Sequence, residues 1–191
     1  HRDLHVRSRR SVRCYKRQLL RCIALGAEPL DPSVLRTFAD KLKPSGFNSA
    51  ALTPAFGLAE ATLVITMASG LQTVHVARRS LEIGETITPL GPKDPEAVEL
   101  PLLGKPLKDA VLRIVDENEV SLPTDTVGHL QVRCNSMMNG YRNRPDESQQ
   151  ALRPGGWLAT GDIGFIPVSY THLRAHETLM NLVCRLLLEK T

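Results

Sequence analysis

Three short stretches of this chain carry residue types able to hold a nucleotide. Phe56-Gly57-Leu58-Ala59-Glu60-Ala61-Thr62-Leu63 sets a flat aromatic beside glycine, with a carboxylate four residues on. A ring there can lie against a base while glycine lets backbone come close. A carboxylate at that distance can share Mg2+ with phosphate oxygens, because Mg2+ takes one or two carboxylates together with phosphate. The same residues also describe a helix start, with Glu60 favoured by the dipole and Phe56 in the core. Gly156-Trp157-Leu158-Ala159-Thr160-Gly161-Asp162-Ile163-Gly164 places Asp162 in a Thr-Gly-Asp turn. A carboxylate there can accept hydrogen bonds from both hydroxyls of a ribose, or cap its own backbone as an Asx-turn. Gly26-Ala27-Glu28-Pro29 follows an apolar run, at the kind of strand end where α/β sheets bind ligands. Taken alone, it describes no more than a strand-to-helix turn stopped by Pro29.

The elements that must position these residues follow from period and punctuation. Residues 19–25 read as a short buried strand ending at Gly26. Asp31 is a good N-cap followed by Pro32 in the first helical turn. Val34, Leu35, Phe38 and Leu42 then fall on one helical face, and Lys43-Pro44-Ser45-Gly46 ends the helix. Residues 51–56 read as a strand; for 59–67 the period does not choose between helix and strand. Strands are expected at 71–76, 110–115 and 128–134, the last with Leu130 and Val132 on one face. Residues 116–119 form a hairpin-like turn and 91–95 a surface loop. The stretch from Asn139 to Ser148 reads as a turn followed by a short helix, with a structural role. The order is α/β first and mostly β afterwards, with no internal repeat.

The 191 residues suffice for one domain with a real core, and 42% hydrophobic against 23% charged residues excludes a disordered chain. No apolar run is long enough to span a membrane, and the leading residues lack the layout of a signal peptide. Four cysteines stand apart with no C-x-x-C pair, which favours reduced thiols in a cytoplasmic protein over a metal or disulfide framework. The net charge of +4 is carried by residues 1–17, with seven Lys/Arg and one Asp. A basic nucleic-acid-binding protein would rest on that end alone, and no recognition motif accompanies it.

The ordered set resembles the adenylate-forming superfamily: acyl-CoA synthetases, fatty acyl-AMP ligases, luciferases and the adenylation domains of peptide synthetases. Its members share an aromatic-Gly-x-x-Glu motif, a Gly-Glu-Leu…Gly-Tyr…Pro-Glu motif and a Thr-Gly-Asp motif. Here these are Phe56 to Glu60, then Gly128-His129-Leu130 with Gly140-Tyr141 and Pro145-Asp146-Glu147, then Thr160-Gly161-Asp162. The wording of Gly26 to Pro29 and of Gly57 to Leu63 looks most like the fatty acyl-AMP ligases. The long stretch between Gly70 and Gly104 suits that branch too. The resemblance implies that Phe56 stacks on adenine and that Ala27, Glu28 and Pro29 line the adenine pocket. Gly57, Leu58 and Ala59 belong to the same nucleotide-binding set. Glu60 is implied as the catalytic residue that holds Mg2+, and Asp162 as the ribose ligand. His129 stands where the family usually has Glu, at a position taken as structural. The implied reaction joins a fatty or other carboxylic acid to the α-phosphate of ATP. The acyl group then passes to a carrier-protein thiol or to CoA. An acyl-CoA synthetase, a peptide-synthetase adenylation domain and a non-catalytic homologue are the alternatives.

The resemblance covers about residues 19–166. It implies a partial AMP-binding domain: the later part of the large N-terminal domain, an α/β layer followed by a partial β-barrel. The family's phosphate loop with its Lys is expected before residue 19, and the hinge and catalytic Lys after Ile166; neither is found, so the piece is expected to be inactive by itself. Residues 1–18 are an uncertain leader. Residues 167–191 resemble a translated transposase-type sequencing adapter, in the stretches 168–178 and 181–189. On that basis the i, i+4 pair His172/His176 and the apolar run 179–188 are set aside as a metal site and a docking helix. Adapter-free sequencing of the source locus is expected to diverge from this chain after Ile166; in-frame recovery of residues 170–189 would refute it.

Overall fold

Asp31 starts the first helix as its residue type dictates. Its Oδ1 accepts a hydrogen bond from the Ser33 amide at 2.8 Å, and Pro32 supplies a first-turn residue that needs no donor. Helix α1 runs Pro32–Leu42, and a 3-10 turn over Lys43–Ser45 closes at Gly46, whose φ of 83° is left-handed. The chain is seen in a computed structural model that describes residues 20–168 and 183–184. Among these, no helix is long and apolar enough to cross a membrane.

Helix α1 is the crossover between two parallel strands, β1 (Ile23–Leu25) and β2 (Leu52–Phe56). The sheet continues antiparallel through β3 (Thr66–Met67) to β6 (Lys105–Pro106), in the order β1-β2-β3-β6. All five residues of β2 are buried. The expectation of a buried strand over 19–25 is corrected: β1 has three residues, half-buried or exposed, because it lies at the sheet edge. The helical period of α1 holds, yet its apolar face is uncovered among the described residues. Val34 is 61% exposed and Phe38 42%, while the buried positions are Pro32 and Ala39. The undecided stretch 59–67 resolves into a 3-10 turn, Ala59–Ala61, and then β3.

The later half is β. Strands β7 (Val111–Val115), β8 (Gly128–Arg133) and β10 (Trp157–Phe165) form an antiparallel sheet. Strand β9 (Leu152–Arg153) and strand β11 (Val183–Cys184) pair with β10. Apart from β11 and residues 167–168, the segment read as adapter lies outside the described residues, as does the leader 1–18. The short helix expected after the turn is α2, Pro145–Ala151. Alternation puts Leu112, Ile114, Leu130, Val132 and Leu158 on one face, where they pack with Phe56, Ala61, Ile65, Leu103 and Ile166. This shared core fixes the two sheets against each other. On the opposite face the single tryptophan, Trp157, has two guanidinium groups against its ring, Arg113 at 4.2 Å and Arg133 at 4.8 Å from its centre.

Between β3 and β6 a hairpin of β4 (Thr73–Ala77) and β5 (Ala97–Pro101) stands on a second apolar cluster with Val76, Leu81, Ile87, Val127 and Phe165. Both arms of the Arg36 guanidinium donate to the Glu99 carboxylate, tying α1 to β5. That contact holds the Glu99 carboxyl below the usual carboxylate range.

Candidate functional site

Because β1 and β2 are parallel, their C-terminal ends lie side by side, and the chain leaves each through a glycine. At Gly26 a Cβ would sit 2.6 Å from the Ala55 carbonyl oxygen, so the close approach of these strand ends requires glycine. Ala27 follows with φ of 65°, which turns the backbone towards α1. At Gly57 a Cβ would sit 1.7 Å from the Leu63 carbonyl oxygen and 2.7 Å from Val64 Cα. Glycine is therefore required here by the chain's own return path, and not only by a ligand. Phe56 is 3% exposed: it is a core residue that also borders the cavity.

Glu60 lies in the 3-10 turn that follows. Its Oε1 accepts from the Tyr141 hydroxyl at 2.6 Å, and its other carboxylate oxygen has no hydrogen bond among the described residues. The same contact raises the Tyr141 phenol above its ordinary pKa. The sequence puts Tyr141 in a turn with a structural role. Its GY spacing was visible, but nothing in the sequence indicated which carboxylate it would meet.

The Thr-Gly-Asp turn is corrected by the structure: it is a bulge inside the nine-residue strand β10. Ala159 pairs with Gln131 and Ile163 with His129, and the register shifts between them. Gly161 takes φ of 81° at the bulge. The local side-chain bond belongs to Thr160, whose Oγ1 accepts from the Asp162 amide at 3.0 Å and donates to the Leu130 carbonyl at 3.0 Å. Asp162 thus does not cap its own backbone, and its carboxylate borders the cavity. Burial pushes its pKa up; a Thr160 contact opposes the shift, and the Glu60 charge adds to it. His129 is half-buried within β8, consistent with a structural position.

These ends meet around one cavity of about 600 Å3, a size ordinary for a small-molecule site. Ala27, Glu28, Pro29, Phe56, Gly57, Leu58, Glu60 and Asp162 line it; of the sequence-derived set only Ala59 does not. The facing wall comes from Val98, Leu100 and Pro101 of β5 with Leu103, which sequence reasoning did not assign to the site. The one available signal was the length of the 70–104 stretch. Among the described residues no cluster of three or more His, Cys, Asp or Glu could hold a metal ion. A cation here would draw most of its oxygens from the ligand. Glu60 provides the kind of hard oxygen donor that Mg2+ accepts beside phosphate.

A family model described as "AMP-binding enzyme" matches residues 5–142, beginning inside the first eighteen residues and ending before Asp162. A putative acyl-CoA synthetase of Caulobacter vibrioides is 31% identical over 160 residues, covering 81% of this chain and 28% of the relative. Among solved structures, the adenylation domain of a keto acid-selecting NRPS module bound to keto acyl adenylate superimposes with a TM-score of 0.75 at 27% identity, covering 86% of this chain and 30% of that one. The fatty acid AMP ligase from Legionella pneumophila gives 0.72 at 27% identity, covering 85% and 28% respectively. The chain thus spans less than a third of the length of each.

Proposed function

Since the chain belongs to the AMP-binding enzymes, a family of AMP-forming acid ligases, we propose that it is the nucleotide-holding part of a fatty acyl-AMP ligase. One observation carries this: segments far apart in sequence, ending at Glu28, Glu60 and Asp162, line the same cavity. In this reading Asp162 accepts the ribose hydroxyls, while Ala27 to Pro29 and Phe56 to Leu58 enclose the base. Glu60 faces the phosphates and would hold Mg2+, which when bound offsets their charge. The acid's carboxylate oxygen attacks the α-phosphorus, the bond to the β-phosphate oxygen breaks, and pyrophosphate leaves. A thiol then attacks the acyl carbon and AMP departs. The apolar residues that β5 gives to the cavity wall support a fatty acid as the acid activated, and the acceptor in this reading is a carrier-protein thiol.

Arg78 is the only cation bordering the cavity among the described residues. Transfer at phosphorus depends on positioning and charge neutralisation, and one arginine is far from enough for a triphosphate. The chain is therefore expected to bind a non-hydrolysable acyl-adenylate, such as an acyl sulfamate of adenosine, saturably and in competition with AMP by calorimetry. It is expected to give no pyrophosphate exchange with ATP and fatty acids. Exchange above background, or binding that ignores the adenosine half, contradicts the proposal.

A further inference from the structure

Glu60 sits two residues from the most strained backbone of the site. Thr62 has φ of 76° and ψ of −59°, and the Leu63 amide donates to the Ala61 carbonyl at 3.1 Å. This is a γ-turn of the uncommon positive-φ hand, centred on a β-branched residue that rarely adopts it. Such strain persists only where surrounding structure over-determines it. Here the surroundings are the segment leaving β8. The Met138 amide donates to the Glu60 carbonyl at 2.7 Å. The Ser136 hydroxyl donates to the Ala61 carbonyl at 3.1 Å, and the Thr62 hydroxyl donates back to the Ser136 carbonyl at 3.0 Å. Three successive residues, Glu60 to Thr62, are thus clasped by the far side of the fold.

The clasp extends to the carboxylate. The Tyr141 amide donates to Ser148 Oγ of α2 at 2.8 Å, and that hydroxyl donates to the Arg144 carbonyl at 2.7 Å. Gly140 lets the serine in, because a Cβ there would lie 3.0 Å from the same Oγ. Helix α2 leads directly into β9, which pairs with β10, the strand carrying Asp162. A continuous path of bonds runs from the strand of one carboxylate to the side chain of the other.

We propose that Tyr141, its backbone amide anchored by Ser148, is a positioning residue for Glu60: its hydroxyl holds one carboxylate oxygen so that the other faces the cavity. This rests on the nucleotide-site reading for its purpose, but the geometry can be tested without a ligand. In the whole chain, three-bond couplings of the Glu60 side chain should report one rotamer. Tyr141→Phe, which removes only the hydroxyl, should average them; retention of a single rotamer overturns the proposal. Titration with ATP, with and without Mg2+, gives the second measurement. The ratio of the two affinities should fall about 3- to 10-fold in Tyr141→Phe, the scale of the net contribution of one hydrogen bond. A tyrosine serving only the fold would weaken both affinities alike, and an unchanged ratio counts against the proposal. If the unaltered chain binds neither ATP nor the acyl-adenylate analogue, the nucleotide reading fails and the coupling measurement still decides the role of Tyr141.

Discussion

Replacing Gly57 with alanine is expected to destabilise the chain by about 3–5 kcal/mol, at the upper end for a single substitution. The added methyl would meet the Leu63 carbonyl oxygen at 1.7 Å and its carbon at 2.6 Å. Those are backbone atoms, so no rotamer change relieves the clash, and the strand-to-turn segment must move as a body. Movement there displaces Glu60 and breaks the packing of Phe56, Ala61 and Ile65 in the shared core. Gly46→Ala is the control. Its φ of 83° disfavours a side chain, a penalty that Gly57 does not carry, but no atom lies within 4 Å of the added group. It should cost only the left-handed penalty of about 1–2 kcal/mol. Urea denaturation of the two variants measures the difference; equal midpoints would show that the Leu63 crossing does not constrain the site.

Asp162→Asn is expected to separate binding from stability. A ribose held by a carboxylate through two charge-assisted bonds should lose about 10- to 100-fold in affinity when the charge is removed. Stability should move the other way. The folded-state pKa of Asp162 is raised, chiefly by burial, so the folded chain binds that proton more tightly than the unfolded chain. The stabilisation from protonation is present at low pH and is lost as pH rises through the raised pKa. At neutral pH the ionised group is therefore a net burden, and the neutral amide should raise the melting temperature slightly. Nucleotide binding by the unaltered chain should strengthen with pH across a midpoint above the ordinary aspartate value. In Asp162→Asn that acid limb should vanish. Calorimetric titrations over a pH series test both parts, and an acid limb that survives the substitution rules out Asp162 as its source.

Much of this was legible where chemistry is local. Asp31 and Pro32 announce a helix start whatever surrounds them, and Leu130 and Val132 alternate inward because a strand has a period of two. The layered order, α/β and then β, followed from the same signals. What was not legible depends on distant partners. The apolar face of α1 was readable, but what covers it was not. The strand β10 was hidden because its Thr-Gly-Asp bulge carries the residue types of a turn; only pairing with β8 on both sides of the bulge reveals the strand. Gly57 looked like a ligand-facing glycine, because no sequence signal says that Leu63 returns across it. Tyr141 and Glu60 lie on separate elements, and their hydrogen bond exists only once the two sheets share a core.

The stacked indole of Trp157 gives the molecule a built-in optical reporter. As the chain's single tryptophan, it supplies the indole emission, and its ring carries two cations against it at the start of the strand that bears Asp162. Indole emission is sensitive to charges held against the ring, so separation of Arg113 or Arg133 from it would change the fluorescence. One spectroscopic channel, without a label, therefore follows the order of β10, and with it the strand that presents Asp162 to the cavity.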